Sequence, residues 1–244
     1  MMMRERLPHP ERHEHSPAEI ASRLEQAPRP SYLRDFVYGG IDGAITTFAI
    51  AAGAWGAQFS SRTVIILGLA NLLADGFSMA ASNYLGGKAE QDEVKRLKAV
   101  EERHVATVPQ GEREEIRQIF ARKGVKGPAL GAVVGAITSD RERWIDTMLV
   151  EEYGVSPAPR SPRTSAAATF LAFVVCGTVP LLPFLFGNES PFFLAACFTG
   201  ITFFVIGAGK SRWSPSPWWM SGLYTLAVGS IAAAVAFLVG HLLA

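Results

Sequence analysis

Two aspartates stand inside apolar sequence, Asp42 within Phe36–Ala57 and Asp75 within Thr63–Gly86. A carboxylate at bilayer depth costs roughly 3 kcal/mol or more, so such a group faces the protein interior and marks an ion or proton path. Asp35 lies seven residues before Asp42 on the same helical face, and Thr46 follows one turn later. Gly39, Gly40 and Gly43 allow another helix to approach this stretch closely. In the second stretch Asn71, Asp75, Ser78, Met79 and Ser82 recur at spacings of three and four, a polar stripe with one thioether. Hard carboxylate oxygen beside soft sulfur suits a borderline divalent metal such as Fe2+ better than Ca2+ or Mg2+. Asn71, Ser78 and Ser82 serve equally well as hydrogen-bonding groups between helices, and Met79 as a filler of core gaps.

A second set of donors lies between Lys88 and Tyr153. Glu101 and His104 are three apart, Glu112 and Glu115 repeat that spacing, and Met148 and Glu152 are four apart. Each pair shares one face of a helix, so three helices could together surround one or more metal ions. The competing account is a solvated face on which these glutamates pair with Arg103, Arg113 or Arg117. A facing shifted by one residue would bring in Glu102, Glu114 and Glu151 instead. His9, His13 and His15 lie in a polar, Pro-containing tail and fit either metal scavenging or a tail without a site.

The elements that must position these donors follow from segregated charge. The chain has 244 residues, 49% hydrophobic, with a formal net charge of +1. Thirteen of its 22 acidic residues fall between Lys88 and Glu152, whereas Thr164–Ala244 carries only Glu189, Lys210 and Arg212. A soluble domain does not leave about 80 residues so nearly free of charge, and an integral membrane protein does. Near-zero net charge with interleaved acids and bases excludes a nucleic-acid partner. Cys176 and Cys197 fall in apolar stretches and read as packing residues. No signal peptide is visible at the N-terminus.

Five spans are predicted, at roughly 36–57, 63–86, 165–187, 191–209 and 218–243, each near the ~20 residues a bilayer requires. Pro180 and Pro183 predict a kink in the third. Arg23, Arg29, Arg34, Arg160, Arg163, Lys210 and Arg212 then lie on one side, against Arg62, Glu189 and His241 on the other. The positive-inside rule puts the N-terminus and the charged insert in the cytoplasm. Trp213, Trp218 and Trp219 read as anchors at the start of the fifth span. Lys88–Val105 prolongs the second span without a breaker. Val108–Gly111 reads as a turn, Glu112–Lys123 as a helix stopped by Gly124, and Pro128–Ile137 as an apolar helix too short to cross. A last helix, capped by Ser139 or Asp140, runs to Tyr153 before Gly154.

The motifs Asp35-Phe-Val-Tyr-Gly-Gly-Ile-Asp42-Gly, Gly68-Leu-Ala-Asn-Leu-Leu-Ala-Asp75-Gly-Phe-Ser-Met79 and Ser82-Asn-Tyr-Leu-Gly resemble the vacuolar iron transporter family in its bacterial form. The resemblance runs from about Tyr32 to the C-terminus and is most specific in the first two spans. It implies a homodimer of five-span subunits that moves Fe2+, often with Mn2+ and related ions, out of the cytosol in exchange for protons. It further implies that Asp42 and Met79 are metal ligands in the membrane and that Asp35 is an entry group. The insert then resembles the family's three-helix metal-binding domain, with ligand positions on Glu101, His104, Glu112, Glu115, Met148, Leu149 and Glu152. His104 and Leu149 stand where some members have Glu, and Asn71 replaces a carboxylate for which Asp75, one turn later, is placed to compensate.

The expectation is thus an all-α integral membrane protein, a homodimer with five transmembrane helices. A cytoplasmic three-helix metal-binding domain is inserted between the second and third. The expected segments are a disordered polar tail at 1–31, membrane helices at 32–87, the insert at 88–155, a linker at 156–164 and membrane helices at 165–244. The expected activity is proton-coupled export of Fe2+ from a bacterial cytosol across the inner membrane, with no enzymatic cofactor. The expected metal residues are Asp35, Asp42, Asp75, Met79, Glu101, His104, Glu112, Glu115, Met148 and Glu152. Two rivals are a membrane-anchored metal sensor or store and a di-iron ferroxidase. The second rests on Glu101-x-x-His104, which is half of a di-iron signature.

Overall fold

The computed structural model describes residues 16–25, 30–187, 190–211 and 216–243, and among these it is helical with no strand. The elements are α1 (Pro17–Glu25), α2 (Leu33–Gly56), α3 (Ser61–Thr107), α4 (Pro109–Arg122), α5 (Pro128–Thr138), α6 (Arg141–Glu151), α7 (Pro162–Thr178), α8 (Leu182–Leu185), α9 (Pro191–Lys210) and α10 (Trp218–Leu243). His9, His13, His15, Arg29, Glu189, Arg212 and Trp213 lie outside the described residues.

Among the described residues five helical stretches are long and apolar enough to cross a membrane: Leu33–Gly56, Ser61–Thr107, Pro162–Leu185, Pro191–Lys210 and Trp218–Leu242. Their outward faces carry large apolar side chains, among them Phe193, Ile201 and Val205 on α9 and Ile231, Val235 and Leu238 on α10. Apolar exposure on this scale needs lipid as its solvent, and the protein is an integral membrane protein. The third stretch is interrupted as its prolines predict. α7 stops at Thr178, a 3-10 turn covers Val179–Leu181, and α8 follows.

The chain divides into two compact units, one formed by residues up to Tyr84 together with those from Arg163 onward, the other by Leu85–Pro162. In the first unit α10 packs against α9 and α2. Its core includes Phe48, Leu72, Phe173, Leu181 and Phe184. Rings stack from Trp55 and Phe48 through Phe192 to Phe237 at centroid separations of 5.7–5.8 Å. The glycine face of α2 meets α7. A Cβ on Gly39 or Gly43 would strike the backbone of Thr169 or Phe173, and one on Gly40 would come within 3.0 Å of Cys176 Sγ. This is the close helix approach that the glycines predict, and α7 is the helix that makes it. The glycine face is consumed inside one chain, where backbones approach closely because no side chain intervenes.

α3 is a single 47-residue helix, about 70 Å long at ~1.5 Å per residue and more than twice a ~30 Å hydrocarbon core. It contributes residues to both units. The second unit adds α4, α5 and α6, with one apolar cluster of Leu97, Ile145 and Leu149 and another of Ile116, Trp144 and Met148. α4 begins earlier than the sequence suggested. Val108–Gly111 is not a separate turn, because Pro109 takes the first helical position, where its fixed φ and missing N–H cost nothing. Asp140 caps α6 by accepting from the Arg143 N–H at 2.8 Å. α6 ends at Glu151, two residues before the predicted Tyr153, and Gly154 follows with φ +68°. α5 has no fully buried residue, and its Val134 and Ile137 pack on the Ile116 cluster.

Candidate metal centres

The first centre is a cavity of about 560 Å³ in the first unit. α2 contributes Arg34, Asp35, Tyr38 and Asp42 to its lining, α3 contributes Asp75, Ser78, Met79, Ser82 and Asn83, and α7 contributes Thr169. The two helical stripes read from the sequence therefore face one space. Asp35 is buried, at 2% exposure, and Asp42, Asp75 and Met79 are half-buried. Neither Asp42 nor Asp75 makes an ion pair with Lys or Arg among the described residues. Three carboxylates and a thioether, with Arg34 beside them, thus give this cavity both hard and soft potential metal donors.

Asn71 and Thr46 do not line this cavity. Asn71 Nδ2 donates to Thr46 Oγ1 at 3.2 Å, and that hydroxyl donates to the Asp42 carbonyl at 3.0 Å. Of the two roles open to Asn71, the structure shows the bond between helices. Ser78 and Ser82 do reach the cavity. Sequence reasoning missed Asn83 and Thr169. Asn83 Nδ2 donates to Asp35 Oδ1 at 2.9 Å and to Thr169 Oγ1 at 2.7 Å, while Thr169 donates to the Ser165 carbonyl at 3.0 Å. The available signal was the position of Asn83 one turn beyond Met79, on the stripe already recognised.

The second centre lies in the Leu85–Pro162 unit. Glu101 and His104 from α3 and Glu112 from α4 present ligand atoms that all lie within 4.8 Å of one another. His104 Nδ1 is 3.4 Å from Glu112 Oε1 and 3.7 Å from Glu101 Oε1. Glu101 and Glu112 are 1% and 4% exposed, and Oε2 of each is buried without a hydrogen-bond partner. Such oxygens are costly to leave unmet, and either a proton shared between the two carboxyls or a cation would meet them. Burial, then the charges of Glu101, Glu115 and Glu152, pushes the Glu112 carboxyl up to about 7. Burial and the charges of Glu101 and Glu115 likewise raise Glu152. Tyr153 donates its hydroxyl to Glu101 Oε1 at 2.9 Å, and burial together with that bond raises its phenol. Tyr153 is another residue the sequence did not single out, since its partner lies 52 positions away.

Glu115 and Glu152 are exposed side chains that act on this group through their charge. Met148 is fully buried in the apolar cluster with Ile116 and Trp144, and Leu149 in that with Leu97 and Ile145. The solvated-face account holds for the neighbouring acids instead. Glu114 pairs with Arg117 at 2.7 Å and Glu151 with Lys123, while Arg113 stacks over Trp144.

The VIT family model matches residues 33–241. Vacuolar iron transporter 1 of Eucalyptus grandis is 33% identical over 208 residues, covering 84% of this chain and 84% of that protein. Vacuolar iron transporter 2 of Oryza sativa subsp. japonica is 34% identical over 210 residues, covering 84% and 85%. The vacuolar iron transporter of Toxoplasma gondii is 33% identical over 224 residues, covering 87% of this chain and 74% of that protein. With a match that takes in both centres and all five apolar stretches, this chain belongs to the VIT family, whose members are transporters and not enzymes.

Proposed function

We propose that this chain exports Fe2+ from the cytosol in exchange for protons, with Mn2+ and other divalent transition metals as further cargo. The observation that carries this reading is the convergence of Asp35, Asp42, Asp75 and Met79 on one cavity among the apolar helices. Relatives at about one-third identity are named vacuolar iron transporters, which supports iron as cargo. In this reading Glu101, His104, Glu112, Glu115 and Glu152 first collect the ion, Asp35 admits it, and Asp42, Asp75 and Met79 hold it within the membrane. Met148 would support the collecting site from the apolar cluster beneath it. Protons arriving from the far side compete with metal for the same carboxylate oxygens, so protonation releases the ion.

The protein would work as a homodimer in a bacterial inner membrane, with its N-terminus and the charged insert in the cytoplasm. Arg23, Arg34, Arg160, Arg163 and Lys210 fall on that side of five crossings. Because α7 occupies the glycine face of α2, the dimer would meet through another face of that helix, where Phe36 and Tyr38 are exposed. The alternative of a sensor or store anchored by inert helices gives no reason for three carboxylates to line a cavity among the apolar helices.

The test is metal entry into proteoliposomes under an imposed pH gradient. Gradient-driven Fe2+ entry that Asp42→Ala abolishes is expected. No flux from folded wild-type protein would overturn transport and leave the insert as a sensor or store.

A further inference from the structure

We propose that His104 is the specificity-determining donor of the insert, biasing its site toward Fe2+, Co2+ and Zn2+ and against Mn2+, Mg2+ and Ca2+. The inference rests on the transport reading only in taking a divalent ion as the cargo. Its ground is the donor set and its spacing. Ions bound at about 2.1 Å by ligands at tetrahedral or octahedral angles hold those ligands about 3.0–3.5 Å apart. His104 Nδ1 already stands 3.4 Å from Glu112 Oε1 and 3.7 Å from Glu101 Oε1. The two separations from His104 thus need only a small contraction to close on such an ion, and all three ligand atoms lie within 4.8 Å of one another.

The two carboxylates are held by burial, and Oε2 of each is buried without a hydrogen-bond partner while Oε1 of each faces His104 Nδ1. The imidazole comes from a half-exposed side chain on the same helix as Glu101. It supplies nitrogen where a third inner carboxylate would supply charge. Imidazole favours Zn2+ and Fe2+, whereas oxygen-only sets favour Mg2+, Ca2+ and Mn2+, and Mn2+ stands lowest among the first-row divalent ions for any nitrogen-containing site. Replacing charge with nitrogen therefore weakens attraction for hard ions while the added bond compensates for the later ones. The outer carboxylates Glu115 and Glu152 attract every divalent cation alike and leave this discrimination to His104.

The experiment is competitive binding of Co2+ and Mn2+ to the full-length protein in detergent, without a pH gradient. The share of the insert is read as the binding lost in a Glu101→Gln/Glu112→Gln double variant. The wild type should prefer Co2+, and His104→Glu should lower the Co2+/Mn2+ affinity ratio by at least about tenfold while Mn2+ binding strengthens. His104→Gln, which keeps a neutral polar side chain, should lose Co2+ affinity without gaining Mn2+. Because His104 is half-exposed, both variants are expected to fold, with wild-type melting temperatures as the check. A ratio unchanged between wild type and His104→Glu overturns the inference. So does metal binding that the double variant fails to reduce. Neither result touches transport, which is judged separately by gradient-driven flux through the Asp42 cavity.

Discussion

Asn83 donates its side-chain amide to Asp35 Oδ1 at 2.9 Å, joining the buried carboxylate of α2 to α3, and its second bond, to Thr169, brings in α7. Three helices that line one cavity are thereby tied at one point. Asn83→Leu should remove a hydrogen bond to a charged group, worth about 1.5–3 kcal/mol. Flux should fall roughly tenfold by transition-state arithmetic if even the lower figure is lost from the working geometry. Combining it with Asp35→Asn should add little further loss, because the two act through one contact. Full additivity in the flux assay would refute the coupling.

Met79 tests the soft donor. Met79→Leu keeps volume and apolar packing against the Phe48–Leu72 cluster, so stability should change by less than about 1.5 kcal/mol. Fe2+ and Co2+ flux should drop while thermal stability holds. A variant that melts early with its flux ratio between metals unchanged would make Met79 a packing residue alone.

Glycine spacing gives a stability contrast. Gly43→Ala would drive a methyl into the Phe173 backbone, whereas a Cβ on Gly53 meets nothing within 4 Å. Gly43→Ala should lower the melting temperature and broaden the elution profile in detergent. Gly53→Ala should be neutral or stabilising by up to about 1 kcal/mol, the helix propensity difference. Equal effects of the two substitutions would contradict the α2–α7 packing.

The Glu112 carboxyl, raised from an ordinary 4.5 to about 7, makes the metal-free insert sensitive to pH. A carboxyl raised on folding binds more protons in the folded state. Its contribution is therefore complete below about pH 4.5 and is lost as pH climbs through 7. In chelator, wild-type thermal stability should fall over that window, Glu112→Gln should flatten the fall, and Co2+ should restore stability at neutral pH. Metal affinity should rise over the same window, since binding displaces the proton. A Glu112→Gln profile parallel to wild type would show that another group sets the slope.

Tyr153 is a positioning residue for Glu101. Tyr153→Phe deletes the hydroxyl that donates at 2.9 Å and leaves the ring in the apolar cluster with Leu97 and Leu149. Metal affinity at the insert should weaken by roughly tenfold, as for other partners that orient a ligand. The Co2+/Mn2+ ratio should stay put, because the donor set is unchanged. Calorimetric titration of both ions reads affinity and ratio together.

Local pattern was enough to find the five apolar stretches, the unbroken α3, the Asp42, Asp75 and Met79 positions on the cavity wall and the Glu101, His104 and Glu112 candidates. Each rests on properties legible within single helices: apolar length, absence of a breaker, or side chains three and four apart on one face. Partner choice is not such a property. That the glycines of α2 receive α7, that Asn83 reaches Thr169 across 86 positions, and that Tyr153 holds Glu101 while Met148 turns into the apolar cluster all depend on which faces meet. Helical periodicity defines a face for every residue, but only packing among distant segments decides what that face touches. Sequence alone thus determined which side chains share a helix face, and the tertiary structure decided which of those faces line a common cavity and which pack away from it.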